Sequence, residues 1–146
     1  MSKRVLLNRV AWINKALEDI QSLPLENYIV FSENKRTLRA AETYLRRALE
    51  GLLDLGQYIL TNGFGVNVAE YEEVAQKLDE NNVLTKEEVA LLKAVAKQCR
   101  RLVHARHEVS DEELYKMCKE GLNGFICLKE AYSVWIHAYL RKIEQG

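Results

Sequence analysis

The sequence predicts an all-α protein, a bundle of about five helices with mostly antiparallel neighbours. Apolar residues recur every three or four positions, three polar cap residues are each followed three positions later by Glu, and no segment alternates apolar and polar residues as a strand does. The chain has 146 residues, 48% of them hydrophobic, with one proline and seven glycines. This length and the short connections predict a single domain over residues 1–146.

The first helix is predicted at about residues 3–21. Its apolar residues are spaced four, three, four and three positions apart, which aligns them on one side: Leu6, Val10, Ile13, Leu17 and Ile20. Trp12 lies one residue off this side, where it either closes a subunit interface or covers the core. A short helical turn is predicted at residues 24–30, because Pro24 suits a first helical turn.

The second helix is predicted to be long, because its apolar positions extend over three heptads. They are Leu38, Ala41, Leu45, Ala48, Leu52, Leu55 and Ile59, and the helix is expected to end within residues 61–65. Its polar side carries arginines that either pair with nearby glutamates or extend a basic surface: Arg36, Arg39, Arg46 and Arg47. Asp54 is interpreted either as a surface carboxylate or as a group that orients an arginine or histidine.

Three further helices are predicted from capping boxes, in which a polar side chain is followed three residues later by Glu. The pairs are Asn67 with Glu70, Thr85 with Glu88, and Ser110 with Glu113. In the helix after Thr85, the buried side is predicted to be Val89, Leu92, Ala96, Cys99 and Val103. The helix after Ser110 keeps helical spacing to Tyr139, with Gly121 and Gly124 as positions where it kinks or breaks.

Charge and cysteine content restrict the classes of function. Lys+Arg and Asp+Glu both number 21, so the whole molecule has no field that attracts a polyanion, and any nucleic-acid contact needs a local patch. Three cysteines without a CxxC pair, and an N-terminus without the apolar run of a signal peptide, predict a cytoplasmic protein. No metal site or cofactor is expected, and no segment is apolar enough for a membrane span.

A local patch is present in residues 99–107, CRRLVHARH, which contain three arginines and two histidines. Lys97, Arg100, Arg101 and His104 recur at helical spacing and are predicted to share one surface near the C-terminal end of their helix. Guanidinium groups bind phosphate oxygens, and an imidazole transfers protons near neutral pH. The patch therefore suits RNA cleavage, although cations in a last helical turn are also favoured by the helix dipole alone.

The order of these segments resembles the HepT-like branch of the HEPN superfamily, whose pattern reads Arg-Asn-x-Leu-Val-His-x-Tyr at this point. The matching pieces are LRAAETYLRRALEGLLDLGQYILTNGFG and YEEVAQKLDENNVLTKEEVALLKAVAKQCRRLVHARHEVSDEELY, within about residues 5–140. The resemblance implies a homodimer whose two motifs face each other, metal-independent endoribonuclease activity, and a toxin role beside a minimal nucleotidyltransferase antitoxin. In some such pairs the antitoxin adds adenylate groups to the motif tyrosine.

Only the histidine of that pattern, His104, is retained in place. Cys99 stands at the position of the family's arginine, Arg100 at its asparagine and Arg106 at its tyrosine. Two replacements are considered: Arg100 or Arg101 acts with His107 at a longer spacing, or Arg100 itself reaches the phosphate beside His104. The tyrosine that accepts adenylate groups in such pairs is therefore absent at this position.

Two functions follow from the resemblance and its departures. In the first, the protein is an endoribonuclease toxin with His104 as general acid or base and Arg100 and Arg101 on the phosphate. Lys97, Arg106 and His107 would then bind RNA around them. In the second, the protein retains the helical dimer without catalysis and binds a nucleotidyltransferase or RNA, because the Cys99 thiol cannot hold a phosphate at neutral pH.

Overall fold

The computed structural model describes residues 1–145 and consists, over that range, of six α-helices without a strand. The helices are α1 (Lys3–Gln21), α2 (Tyr28–Glu33), α3 (Lys35–Phe64), α4 (Tyr71–Glu80), α5 (Lys86–His104) and α6 (Asp111–Gln145). A 3-10 turn at Arg106–Glu108 connects α5 to α6. The predicted all-α class is confirmed, and the sixth helix is the short α2.

Helix α3 lies at the centre of the bundle and contacts each of the other five helices. All of its predicted heptad positions except Leu38 are fully buried. The hydroxyl of Tyr132, from α6, donates a hydrogen bond of 2.8 Å to the carbonyl of Leu52 inside this core. Its burial raises the pKa of that hydroxyl, which therefore stays protonated.

The helix ends follow the local sequence closely at three places. Thr85 and Glu88 form the predicted capping box in both directions, with bonds of 3.3 and 2.9 Å. Half of the predicted capping box forms at Ser110: its Oγ accepts from the backbone N–H of Glu113 at 3.1 Å, whereas the Glu113 carboxylate binds Arg101. Helix α3 ends at Gly65, whose φ of 66° is the left-handed conformation that glycine adopts most easily.

Two predicted helix starts are wrong. Asn67 does not cap α4: the helix begins at Tyr71, after Glu70, and has no side-chain cap. The reason is tertiary, because Val68 is buried in the core and its carbonyl accepts a 2.8 Å hydrogen bond from Gln57 of α3. The helical turn predicted at residues 24–30 lies instead at α2, where Asn27 caps the backbone N–H of Val30 at 3.2 Å.

Two further differences concern α5 and α6. Leu102 takes the buried place predicted for Val103, which is 43% exposed, because a three-residue step from Cys99 keeps the side chain on the core side. Helix α6 runs without interruption through Gly121 and Gly124. No helix within residues 1–145 is long and apolar enough to cross a membrane.

Candidate functional site

The C-terminal half of α5 borders a groove of about 610 Å³, here called the His104 groove. Helices α3 and α4 supply its other sides. It is lined by Glu50, Glu70, Tyr71, Glu72, Ala96, Cys99, Arg100, Val103 and His104.

His104 and Arg100 lie on the same side of this groove because they are four residues apart on α5. His104 is the last residue of the helix, and its side chain is exposed. Arg100 Nη1 lies 3.2 Å from Glu72 Oε1 of α4, and the arginine side chain is 69% exposed. An exposed pair of this kind contributes only about 0–1 kcal/mol, so Arg100 can exchange Glu72 for an anionic ligand.

Arg101 does not share this surface, which corrects the prediction of a single cationic face. Its guanidinium binds the carboxylate of Glu113 on α6 at 2.5 and 3.1 Å and the carbonyl of Glu108 at 3.3 Å. The hydrogen bond between the two side chains raises the pKa of Arg101 and lowers the pKa of Glu113. Lys97 lies between the two surfaces, next to Arg100 on one side and Arg101 on the other.

Arg106 and His107 also lie outside the His104 groove. Arg106 Nε is 2.9 Å from Glu42 Oε1 of α3, and its Nη1 donates to the carbonyl of Val109 at 2.9 Å. Arg106 therefore holds the 3-10 turn against α3. His107 is 82% exposed, and its nearest carboxylate, on Glu108, is 3.9 Å away.

Cys99 lies at the base of the groove and is only 2% exposed. Burial raises the pKa of its thiol to about 11, and the negative charge of Glu50 adds to this shift. The Cys99 side chain is therefore uncharged at neutral pH. Three glutamates line the same groove as Arg100, which makes its charge predominantly negative at neutral pH.

The glutamates and the tyrosine that α3 and α4 bring to this site were not predicted from the sequence. The hydroxyl of Tyr71 donates a hydrogen bond to Asp54, and burial together with this bond raises the tyrosine pKa. Asp54 therefore orients a tyrosine rather than an arginine or histidine. No sequence motif marks Glu50, Glu70 or Tyr71, because only the packing of α3 and α4 against α5 brings them to His104.

No group of three or more His, Cys, Asp or Glu side chains is placed to hold a metal ion within residues 1–145.

The profile of the ribonuclease HepT-like family matches residues 13–131. The chain therefore belongs to the HepT-like family. No curated protein matches the sequence.

Solved structures show the same fold at low sequence identity. A tri-AMPylated HEPN toxin from Shewanella oneidensis, in complex with an MNT antitoxin, has a TM-score of 0.79 at 17% identity, over 92% of this chain and 99% of that chain. A toxin–antitoxin complex with AMP-PNP has a TM-score of 0.78 at 17% identity, over 90% and 99%. YutE, a cytosolic protein of unknown function from Bacillus subtilis, has a TM-score of 0.79 at 16% identity, over 95% and 93%.

Proposed function

We propose that this protein is the toxin of a toxin–antitoxin pair and acts as a metal-independent endoribonuclease. The observation that carries this proposal is the pairing of His104 with Arg100 on one exposed groove. Arg101 and Arg106 lie outside this groove, where Glu113 and Glu42 bind them, so Arg100 is the arginine that the groove offers to a phosphate.

The chemistry uses the RNA's own 2′-hydroxyl. His104, as a neutral base, takes the 2′-hydroxyl proton while the 2′-oxygen forms a bond to the adjacent phosphorus and the bond from phosphorus to the 5′-oxygen breaks. The leaving 5′-oxygen receives a proton from an imidazolium or from water. Arg100 stabilises the charge on the non-bridging oxygens, and the products end in a 2′,3′-cyclic phosphate and a 5′-hydroxyl.

The proposed mechanism operates in a homodimer, because one groove alone has a single arginine beside three glutamates. Two facing copies would bring a second His104 and a second Arg100 to the scissile phosphate, which gives one imidazole for each proton transfer. A minimal nucleotidyltransferase is proposed as the antitoxin, since solved structures of this fold include a HEPN toxin in complex with an MNT antitoxin.

One observation favours a second candidate, a non-catalytic binding module for a nucleotidyltransferase. The buried Cys99 thiol and the three groove glutamates give a site with little attraction for RNA phosphates. A surface of this charge instead suits basic side chains of a protein partner.

Cleavage of end-labelled RNA by matched histidine variants tests the first proposal. His104→Ala is expected to cleave at least about 100-fold more slowly, because that is the usual contribution of a general acid or base. His107→Ala, which changes an exposed side chain, is expected to retain the wild-type rate. Cys99→Arg restores the family's residue and is expected to increase the rate. Equal loss in both histidine variants would contradict the role given to His104, whereas no cleavage by the intact wild-type protein and by Cys99→Arg would favour the binding module.

A further inference from the structure

A second groove lies between α1 and α3 and has a volume of about 460 Å³. It is called here the Trp12 groove, and its polar lining comprises Asn8, Arg9, Trp12, Arg47, Glu50 and Asp54. Glu50 lines both this groove and the His104 groove. Glu50 of α3 therefore forms a shared wall of the two grooves.

Trp12 is the aromatic platform of this groove, because its side chain is 55% exposed. The indole lies against α3 at Gly51, where an added Cβ would come 3.3 Å from Trp12 Cδ1. Glycine thus lets the indole rest close to the α3 backbone. Indole rings exposed beside cationic side chains are typical stacking surfaces for nucleic-acid bases.

The charged side chains around Trp12 differ in how strongly they contact other side chains of the protein. The Arg9 guanidinium lies 5.0 Å from the ring centre of Tyr58, and Asp54 accepts the Tyr71 hydroxyl. Glu50 has a weaker contact, at 3.4 Å from exposed Arg46, and Arg47 forms no ion pair within residues 1–145. Arg47 can therefore contact a ligand without losing an ion pair, and Glu50 has to give up only its exposed contact with Arg46.

We infer that the Trp12 groove binds one guanine nucleotide of a single-stranded RNA. The base stacks on Trp12, the Glu50 carboxylate accepts hydrogen bonds from the N1–H and exocyclic amino group of guanine, and Arg47 contacts a phosphate. Uracil offers one N–H and no amino group, so the carboxylate selects against it. That the nucleotide belongs to an RNA substrate rests on the proposed ribonuclease function.

Charge favours a nucleotide over a second copy of this chain as the occupant. Cores of protein interfaces are depleted in charged residues, whereas covering this groove would bury Arg9, Arg47, Glu50 and Asp54 together. A groove of about 460 Å³ also lies within the range of small-ligand sites.

Fluorescence titration of the full chain tests this inference without requiring RNA cleavage. Trp135→Phe leaves Trp12 as the reporter, since the chain has two tryptophans. GMP is expected to change Trp12 emission and to bind about tenfold more tightly than UMP, as one lost two-point base contact implies. Glu50→Gln should remove most of this preference, and Arg47→Ala should weaken GMP more than guanosine.

The possible outcomes separate this inference from the proposed function. Equal binding of GMP and UMP would overturn it, as would no nucleotide response. In the second case, protection of Trp12 from acrylamide that disappears on dilution would identify a second copy as the occupant. Selective GMP binding without RNA cleavage would retain the guanine site and contradict the ribonuclease. RNA cleavage without GMP binding would retain the ribonuclease and contradict the guanine site.

Discussion

Arg101 and Glu113 connect the last turn of α5 to the first turn of α6 through hydrogen bonds of 2.5 and 3.1 Å. This pair turns Arg101 away from the His104 groove and leaves Arg100 as its arginine. Arg101 also binds the Glu113 carboxylate, which the predicted capping box places on the backbone N–H of Ser110. The connection between the two helices thus determines which cation stands beside His104.

Glu113→Gln is expected to reduce the pH dependence of stability in acid. The hydrogen bond and charge of Arg101 lower the pKa of Glu113 below its ordinary 4.5, so this pair stabilises the fold above that pH and ceases to do so as pH falls through the lowered pKa. The unfolding free energies of wild type and variant should therefore differ at pH 7 and converge in acid, by urea denaturation. A difference in unfolding free energy that stays constant from pH 7 into acid would show that the Arg101–Glu113 pair does not lower the pKa of Glu113.

Gly56→Ala is expected to destabilise the protein even though Gly56 lies inside helix α3. An added Cβ would lie 2.6 Å from Tyr132 Oη and 2.8 Å from Val74 Cγ1, in the closely packed core. Overpacking should outweigh the gain in helix propensity and cost about 1–3 kcal/mol. Gly63→Ala is the matched control, because it meets only the flexible end of Met1 and should be neutral or stabilising.

Thiol alkylation is expected to distinguish the three cysteines. Burial raises the pKa of Cys99 to about 11 and that of Cys118 to about 12, whereas Cys127 is exposed. Native protein near pH 7.5 should therefore react rapidly with one equivalent of iodoacetamide, and unfolded protein with three. Cys127→Ser should remove the rapid reaction; rapid alkylation at Cys99 would contradict its place in the core.

Glu42 and Arg106 are expected to stabilise the turn that follows His104. Their 2.9 Å ion pair is partly shielded, so a double-mutant cycle with Glu42→Gln and Arg106→Gln should give a coupling of about 1 kcal/mol. Hydrogen exchange in residues 105–109 should accelerate in both single variants, and more in Arg106→Gln because that change also removes the bond to the Val109 carbonyl. Additive effects of the two changes on stability would show that the pair is not formed in solution.

Elements with a strong local signal were predictable from the sequence. The Thr85 capping box and the α3 heptads depend on neighbouring residues only. Asn67 failed as a cap because Val68 is drawn into a core formed by distant residues. Local periodicity does not contain that information.

The candidate site was predictable only in part for the same reason. Sequence spacing placed Arg100 and Arg101 with His104, but Glu72 on α4 and Glu113 on α6 draw the two arginines to different surfaces. Glu50 and Tyr71 join the site through helix packing. A site assembled from three helices needs their mutual arrangement, which caps and heptads do not specify.

The most direct test of the central proposal compares an RNA with the same strand carrying a 2′-deoxy residue at the cleavage position, in excess EDTA and with dimeric protein. The proposal predicts cleavage of the RNA to a 2′,3′-cyclic phosphate end, no cleavage at the deoxy position, and loss of the reaction in His104→Ala. An uncut RNA, or equal cleavage at the deoxy position, would contradict it.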